Sequence, residues 1–256
     1  MLFFALPPPA VTHPYVQMNA RRPQEGVRYL RRHRAEIALL DSGVEIFRDP
    51  AVKDYPPDHM RKLWLLYERL KPLAKHWFVT IPDYPDDYHH KALWISDDVT
   101  NIERSVLNVI KAVDEYPTIP WLIPIQGWLN DPTSILRSWR QLEAAGIRKR
   151  YQYFAVANVC TTKQTNMIVR TARLARWCIG DAWLHLFGPS ISAVRRLHGV
   201  VNSFDSSAWN TGRWESSMGP GFDGTMKNRI AMFQRYERIS HGSKEKAWPM
   251  PKVWQT

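Results

Sequence analysis

The chain has 256 residues, 45% of them hydrophobic and 23% charged, which suits one barrel or two small domains with a substantial core. Its formal net charge of +11 favours a polyanionic partner such as nucleic acid, although an acidic membrane surface would also fit. No run reaches the roughly 18 apolar residues of a membrane helix, so no membrane span and a cytoplasmic location are expected.

Short apolar runs alternate with helix-like stretches, which is typical of a parallel α/β fold. The number of these units favours a TIM-like (β/α)8 barrel, although an eighth strand is not evident and a doubly wound sheet is the alternative. In chain order, strands are predicted at 2–6, 36–40, 77–81, 120–125, 151–157, 183–187 and 200–204. Helices are predicted at 23–34, 58–70, 162–179, 190–198 and 225–240, and two more carry clear capping signals.

The capping signals mark the ends of the two remaining helices. Thr100 and Glu103 form the T-x-x-E pattern of a capping box at the start of the first. Asp131 followed by Pro132 marks the start of the second, and Gly146 is suited to its C-terminal cap. These two helices separate the third, fourth and fifth predicted strands and so support the alternation.

The chain organisation predicts a single domain over residues 1–256, in which 225–256 form a basic helix and tail. No internal repeat or long linker divides it. The two cysteines, Cys160 and Cys178, cannot form a four-cysteine zinc site and are expected to be buried thiols. The acidic and histidine residues at 86–90 match no ligand spacing, so we expect a solvated loop there and no metal.

Two carboxylates follow predicted strands at the end where a parallel barrel carries its chemistry. Asp205 lies between small hydroxyl residues and suits a nucleophile toward a sugar anomeric carbon, with Asp41 as the second, acid/base group. The alternative for each is a side chain that only caps the following turn. His185, inside a strand, is expected to be a buried barrel histidine.

Other strand ends suit recognition of a flat heterocycle such as guanine. Asp83 can accept the N–H donors of the ring edge, and Gln126 can both donate and accept. Gly127 and Gly188 would let a ring approach the backbone, and Phe187 could stack on it. For any one of these positions, the alternative is an ordinary loop or core residue.

The basic residues and twelve tryptophans lean toward nucleic acid, because bases stack on exposed aromatic rings. The basic stretch at 31–34 and the C-terminal helix, with Lys227, Arg229 and Arg235, are candidates for phosphate contact. Solvated helix faces are the equally weighted alternative for both.

Several segments share their order and strand-end placement with one enzyme family. They are Asp41-Ser42-Gly43, Asp83, 123–127, 154–159, 186–188 and 203–206. Over roughly residues 36–213 the chain resembles the tRNA-guanine transglycosylase superfamily, and within it most closely the branch that inserts 7-deazaguanines into DNA. The resemblance implies a barrel with Asp205 as nucleophile, Asp41 as general acid/base and Asp83 as a binder of the base.

The chain also departs from the family pattern. Trp128 stands in place of a second glycine, and both glycines of another segment are lost at 157–158, so the Asn158 side chain is expected to supplement the contacts to the base. Arg213 lies near the place of a family arginine. No cysteine follows Cys178, so the zinc site of the tRNA enzymes has no counterpart, which favours a reduced enzyme acting on DNA, such as a viral one that works in the host cytoplasm.

The resemblance implies exchange of guanine in DNA for a 7-deazaguanine such as preQ0, with no cofactor. The alternatives are the same exchange on tRNA, a base-releasing N-glycosidase, and a noncatalytic nucleic-acid-binding module that retains only the basic charge and the tryptophans. A helper protein that opens the duplex is among the partners that this interpretation allows.

Overall fold

The structure, a computed structural model, describes residues 1–86, 93–162, 164–211 and 225–242. Eight strands form one sheet in the order β1-β8-β7-β6-β5-β4-β3-β2, and every hydrogen-bonded pair in it is parallel. The strands are β1 (Leu2–Phe4), β2 (Tyr15–Asn19), β3 (Ala35–Asp41), β4 (Ala74–Thr80), β5 (Trp121–Ile125), β6 (Tyr153–Val156), β7 (Trp183–Leu186) and β8 (Ser203–Asp205).

The two outermost strands, β1 and β2, approach each other through Ala5. Its amide donates to the carbonyl of Tyr15 at 3.3 Å, and its carbonyl accepts from the Gln17 amide at 2.9 Å. A parallel bridge joins Ala5 to Val16. The sheet therefore closes on itself, and the predicted TIM-like (β/α)8 barrel is confirmed.

Helices alternate with the strands around the barrel. They are α1 (Pro23–Arg32), α2 (His59–Leu70), α3 (Asn101–Glu115), α4 (Ile135–Ala144), α5 (Ile147–Arg150), α6 (Thr165–Ile179), α7 (Ile191–Arg196), α8 (Ala208–Thr211) and α9 (Met226–Ser240). The predicted boundaries differ from these by a few residues at most element ends. No helix within the described ranges is long and apolar enough to cross a membrane.

The predicted capping signals are confirmed. The Thr100 side chain accepts from the backbone at the start of α3, while Glu103 reaches back to the Thr100 amide at 2.9 Å. Asp131 accepts from the Thr133 amide at 2.9 Å and caps a 3-10 turn that leads into α4. Gly146, with φ of 72°, follows the end of α4.

The eighth strand, which the sequence pattern did not reveal, is β2. Its side chains alternate between half-buried and buried, with Val16 and Met18 buried on the outer side of the barrel. Met18 lies under α1, where a Cβ on Gly26 would come within 2.6 Å of the Met18 Cβ. The strand is hard to recognise because Tyr15, Gln17 and Asn19 alternate with only two apolar residues.

The barrel interior divides into an apolar floor and a polar mouth. Side chains of a strand alternate between its two faces, so residues two apart share the interior. A cluster fills the lower interior, and residues two positions further along several of the same strands lie above it at the carboxyl ends. The cluster consists of Phe4, Ile37, Leu39, Phe78, Leu122, Ala155 and Trp183. The mouth above it carries Gln17, Asp41, Thr80, His185 and Asp205.

Candidate active site

The two candidate carboxylates meet at one amide. Gln17 Nε2 lies 3.0 Å from Asp205 Oδ2 and 3.4 Å from Asp41 Oδ2. Because both distances start at the same nitrogen, the separation of Asp41 Oδ2 and Asp205 Oδ2 cannot exceed the sum of the two. The strand-end positions of β3 and β8 thus bring Asp41 and Asp205 together, with Gln17 of β2 between them.

Asp205 is held in one orientation by donors from three directions. Besides Gln17 at Oδ2, the Gly188 amide donates to Oδ1 at 3.1 Å, and His185 Nε2 lies 3.2 Å from the same oxygen. The side chain is buried, with 8% of the residue exposed. These contacts fix the carboxylate at the mouth without removing it from reach of a ligand.

His185 connects Asp205 to the barrel interior. Trp183 Nε1, which can only donate, lies 2.9 Å from Ser203 Oγ, and Ser203 Oγ lies 2.9 Å from His185 Nδ1. The chain of hydrogen bonds is complete when the Ser203 hydroxyl donates to Nδ1 and a neutral imidazole donates from Nε2 to Asp205. His185 is thus a satisfied barrel histidine, as predicted, but it also contacts the candidate nucleophile.

Asp41 occupies an environment suited to proton transfer. Desolvation raises its pKa to about 7, and the charges of Glu45 and Asp205 act in the same direction. Hydrogen bonds from the Gly43 amide, at 2.8 Å to Oδ1, and from Gln17 oppose the rise. The hydrogen bond from the Gly43 amide is the turn cap that the sequence offered as the alternative role of Asp41. Asp41 therefore caps the local turn and also faces Asp205.

A third carboxylate, Asp83 in the loop after β4, is paired with an amide. Gln126 Nε2 donates to Asp83 Oδ2 at 2.8 Å, and Gln126 Oε1 accepts from the Gly127 amide at 2.9 Å. Gln126 is fully buried, whereas 5% of Asp83 is exposed. Gln126 is therefore bonded to Asp83 and to the backbone, and its predicted contact with a base stays a prediction.

Tyr55 lies between the two carboxylate regions. Its hydroxyl donates to the Asp83 carbonyl at 2.9 Å, and its ring stacks on His59 with centroids 4.5 Å apart. Burial raises the pKa of Tyr55 well above its ordinary value, and the charges of Asp83 and Asp41 raise it further. The phenol stays protonated, and its hydroxyl is held by the backbone of Asp83.

The two glycines make room for the chain itself. Gly188 has φ of 57°, and a Cβ there would lie 3.0 Å from the Cβ of Cys160. A Cβ on Gly127 would lie 2.7 Å from Asn158 Nδ2 and 2.8 Å from Ser134 Oγ. Packing at Gly127 and backbone conformation at Gly188 already favour glycine, and the expected approach of a flat ring to the backbone stays a prediction.

Asn158 and Phe187 lie at neighbouring strand ends. Asn158 Nδ2 donates to the Trp128 carbonyl at 3.1 Å, whereas its buried Oδ1 has no hydrogen-bond partner within the described ranges. Phe187 is half-buried and meets the His185 ring edge-on, with centroids 4.9 Å apart. Trp128 packs against Trp94 with ring centroids 5.8 Å apart.

The candidate nucleic-acid-binding residues are placed in part. Arg213 lies outside the described residues. On α9, Lys227 is exposed, and Arg229 and Arg235 are half-buried. The helix is anchored to the barrel by Phe233, whose ring centroid lies 5.4 Å from that of Phe3.

The acidic and histidine stretch is described only at Asp86, since 87–90 lie outside the described residues. Asp86 is buried rather than solvated and accepts hydrogen bonds from Trp94 Nε1 at 3.2 Å and the Leu129 amide at 3.3 Å. Across the described ranges, no group of three His, Cys, Asp or Glu side chains is arranged to hold a metal ion. Cys178 is buried, as expected, and burial raises the pKa of its thiol to about 11, whereas Cys160 is only half-buried and the expectation is wrong there.

No family model matches the sequence, and a search of curated proteins finds no match. Among solved structures, the chain is similar to the carboxyl transferase domain of pyruvate carboxylase from Rhizobium etli, at 13% identity and a TM-score of 0.37. The match covers 86% of this chain and 44% of that one, so the chain spans less than half of its length. A similarity this distant carries nothing about the reaction.

Proposed function

We propose that this protein exchanges guanine in DNA for a 7-deazaguanine such as preQ0, through a covalent aspartyl-glycosyl intermediate. The observation that carries the proposal is the amide of Gln17 bonded to both Asp41 and Asp205. Glycosyl transfer with retention needs a nucleophilic carboxylate and a neighbouring acid/base group at one carbon. The pair at the mouth offers both, and the resemblance at the strand ends supplies the substrate class.

In the first half of the reaction, an Asp205 oxygen attacks C1′ of the target deoxyguanosine. The C1′–N9 bond breaks, its electron pair goes to the departing guanine, and a proton from Asp41 neutralises that base. An acid with a pKa of about 7 is partly protonated at neutral pH, which suits this donation. The product is a glycosyl ester on Asp205 and free guanine.

In the second half, the incoming base attacks C1′ and displaces the Asp205 carboxylate. Asp41, now ionised, takes the N9 proton of the incoming base as the new glycosidic bond forms. One C–N bond replaces another, and the proton that Asp41 gives to guanine is replaced by the proton that it takes from the incoming base, so the exchange balances without a redox cofactor or nucleotide hydrolysis. His185 and the Gly188 amide hold Asp205 during both displacements.

The region around Asp83 is proposed to receive the base. A guanine edge presents N–H donors, and the Asp83 carboxylate accepts them while Gln126 fixes its orientation. The unmatched Oδ1 of Asn158 supplies a further acceptor at the mouth. In this assignment Asp83 is a substrate contact, and Gln126 is a positioning residue that acts through it.

The deciding experiment offers labelled guanine or preQ0 to the purified protein with duplex DNA, single-stranded DNA and tRNA side by side. Label in DNA with wild-type protein, and none with Asp205→Asn, is the expected result. Label in tRNA alone would contradict the DNA substrate and support the same base exchange on tRNA. A requirement for pre-opened DNA would point to a helper protein that separates the strands.

The remaining alternatives give different products in the same assay. An N-glycosidase releases free guanine and leaves abasic sites when no base is added. A noncatalytic binding module retains oligonucleotide without label, release or a covalent adduct. Binding with neither exchange nor adduct on any of the three substrates would overturn the proposed reaction.

A further inference from the structure

A cleft of about 420 Å³ opens beside the barrel mouth, outside the candidate active site. Its walls are the proline loop after β1 at residues 7–9, helix α1, the short helix α8 and the start of α9. We call it the arginine cleft. The polar side chains that characterise it are Arg28, Arg32, His33, Trp209 and Arg229.

The arginine cleft carries an excess of positive charge. Arg28, Arg32 and Arg229 make no ion pair with any carboxylate within the described ranges, and Glu25, which is exposed, is the acidic residue on the lining. Guanidinium groups bind phosphate through parallel N–H donors. The wall of prolines contributes no backbone donors, so the side chains of α1 and α9 determine what binds.

Three nitrogen atoms on this lining lack hydrogen-bond partners although they are buried. They are Trp209 Nε1, Arg229 Nε and His33 Nε2, each without a partner among the described residues. The indole and guanidinium nitrogens can only donate, so each requires an acceptor. Buried donors without acceptors are rare in folded proteins, and these two, beside an imidazole nitrogen that donates in one of its tautomers, indicate a ligand with several acceptor oxygens.

The position of the cleft ties it to the candidate nucleophile. Trp209 lies four residues after Asp205, and Ala208 begins α8 directly behind the end of β8. The proline loop extends β1, whose Phe4 pairs with Asp205 in the sheet. The cleft is therefore built on the loops that follow β1 and β8, the second of which carries Asp205 at its strand end.

We propose that the arginine cleft holds a backbone phosphate next to the target nucleotide, with the guanidinium of Arg229 and the indole N–H of Trp209 as donors. The proposal rests on the proposed function in one respect, namely that the substrate is a polynucleotide. The phosphate contact is sequence-independent and fixes the register of the strand relative to Asp205. The base contacts around Asp83 then act on a nucleotide already in place.

The test is a methylphosphonate scan of a single-stranded oligonucleotide that contains one guanine. Each neutral linkage removes the charge of one phosphate, and affinity is measured by fluorescence anisotropy on full-length Asp205→Asn protein, which prevents turnover. The cleft variants are Arg28→Gln and Arg229→Gln. Their matched controls are Arg31→Gln on α1 and Arg238→Gln on α9, both exposed and outside the cleft lining.

The expected result is a single linkage near the guanine whose neutralisation weakens binding about tenfold. Arg229→Gln should weaken the unmodified oligonucleotide by a similar factor and abolish the further effect of that linkage. The slope of log affinity against log salt should become shallower by about 0.7 for each phosphate of a single strand that the protein no longer neutralises. Arg31→Gln and Arg238→Gln should retain the full effect of the linkage.

Equal effects in the cleft variants and their controls would overturn the proposal. So would a flat scan combined with displacement by inorganic phosphate, because the cleft would then bind a free anion. Trp209→Phe, which keeps an aromatic ring but removes the donor, should reproduce part of the Arg229→Gln effect on affinity, measured below the lowered Tm of this variant. Base exchange is measured in a separate assay. A positive scan without exchange would therefore contradict the proposed transglycosylase reaction but support the phosphate site.

Discussion

The polar groups on the two sides of the barrel mouth differ in how they are hydrogen-bonded. On the carboxylate side, formed by Gln17, Asp41, His185 and Asp205, two acidic groups share one donor, and the pKa of Asp41 is raised to about 7. On the amide side, formed by Asp83, Gln126 and Asn158, the carboxylate is paired with a fully buried amide. The first arrangement raises the proton affinity of Asp41, and the second fixes the orientation of Asp83, which the proposed function assigns to a reacting pair and to a base-binding surface.

Removal of the candidate nucleophile should have the largest effect and is the strongest test of the role assigned to the carboxylate side. Asp205→Asn keeps the shape of the side chain but removes the nucleophilic oxygen, so exchange should fall by roughly 10⁴-fold or more. The covalent adduct, trapped with denaturant and resolved on a gel, should disappear. Turnover at the wild-type level would remove Asp205 from the mechanism and the carboxylate side from the chemistry.

Replacement of Asp41 tests the acid/base assignment through two pH profiles. Asp41→Asn should lower the exchange rate by about 10²–10⁴-fold and remove the limb of the rate profile near pH 7. The folded protein holds the Asp41 proton more tightly than the unfolded chain, whose pKa stays near 3.8. The free energy of unfolding should therefore fall as pH rises from about 4 to 7 and level off above.

The size of this stability effect is bounded by the pKa shift. About 1.4 kcal/mol corresponds to each pKa unit, so the wild type should lose up to about 4 kcal/mol relative to Asp41→Asn across that range. Denaturant titrations of both proteins at pH 4.5, 6 and 8 would show it. A constant stability difference between them at all three values would mean that Asp41 is not desolvated.

Gln17 joins the two carboxylates, and its loss should uncouple them. Gln17→Leu leaves Asp41 and Asp205 facing each other without the shared donor, which should raise the pKa of Asp41 further and cut exchange by about tenfold to a hundredfold. Gln24→Leu, an exposed position on α1, is the matched control. A rate profile whose pH midpoint is the same in both variants would contradict the coupling.

The strand-end rule predicted the positions of Asp41, Asp83 and Asp205, because a polar residue after an apolar run is visible in one sequence. It did not reveal Gln17, since β2 presents polar residues to the interior and resembles a loop in its pattern. The contact of His185 with Asp205 depends on the register of β7 against β8, which the residue types alone do not determine.

The sequence predicted where the residues of the amide side lie, but not which hydrogen bonds they make. The sequence indicated that Asp83 and Gln126 occupy neighbouring strand ends, and both do. Which of them faces a ligand depends on burial, and the full burial of Gln126 follows from packing that no local pattern encodes. The glycine at 127 likewise follows from packing, because the side chains of Asn158 and Ser134 leave no room for a Cβ there.

The smallest effect should come from Gln126, and it separates positioning from general stability. Gln126 Nε2 donates to Asp83 at 2.8 Å, and Gln141 Nε2 donates to Glu103 at 2.8 Å on the outside of the barrel. Leucine at either position removes one amide–carboxylate hydrogen bond, so Gln141→Leu should lose about 0.5–1.5 kcal/mol of stability. Gln126→Leu, which also leaves the Gly127 amide without its acceptor, should lose about 1–3 kcal/mol. Only Gln126→Leu should also raise the KM for the incoming base, by several-fold, with kcat nearly unchanged, because Asp83 would lose its fixed orientation. An equal rise in KM for both variants would mean that the pairing on the amide side is structural, and the comparison between the two sides would then lose its functional meaning.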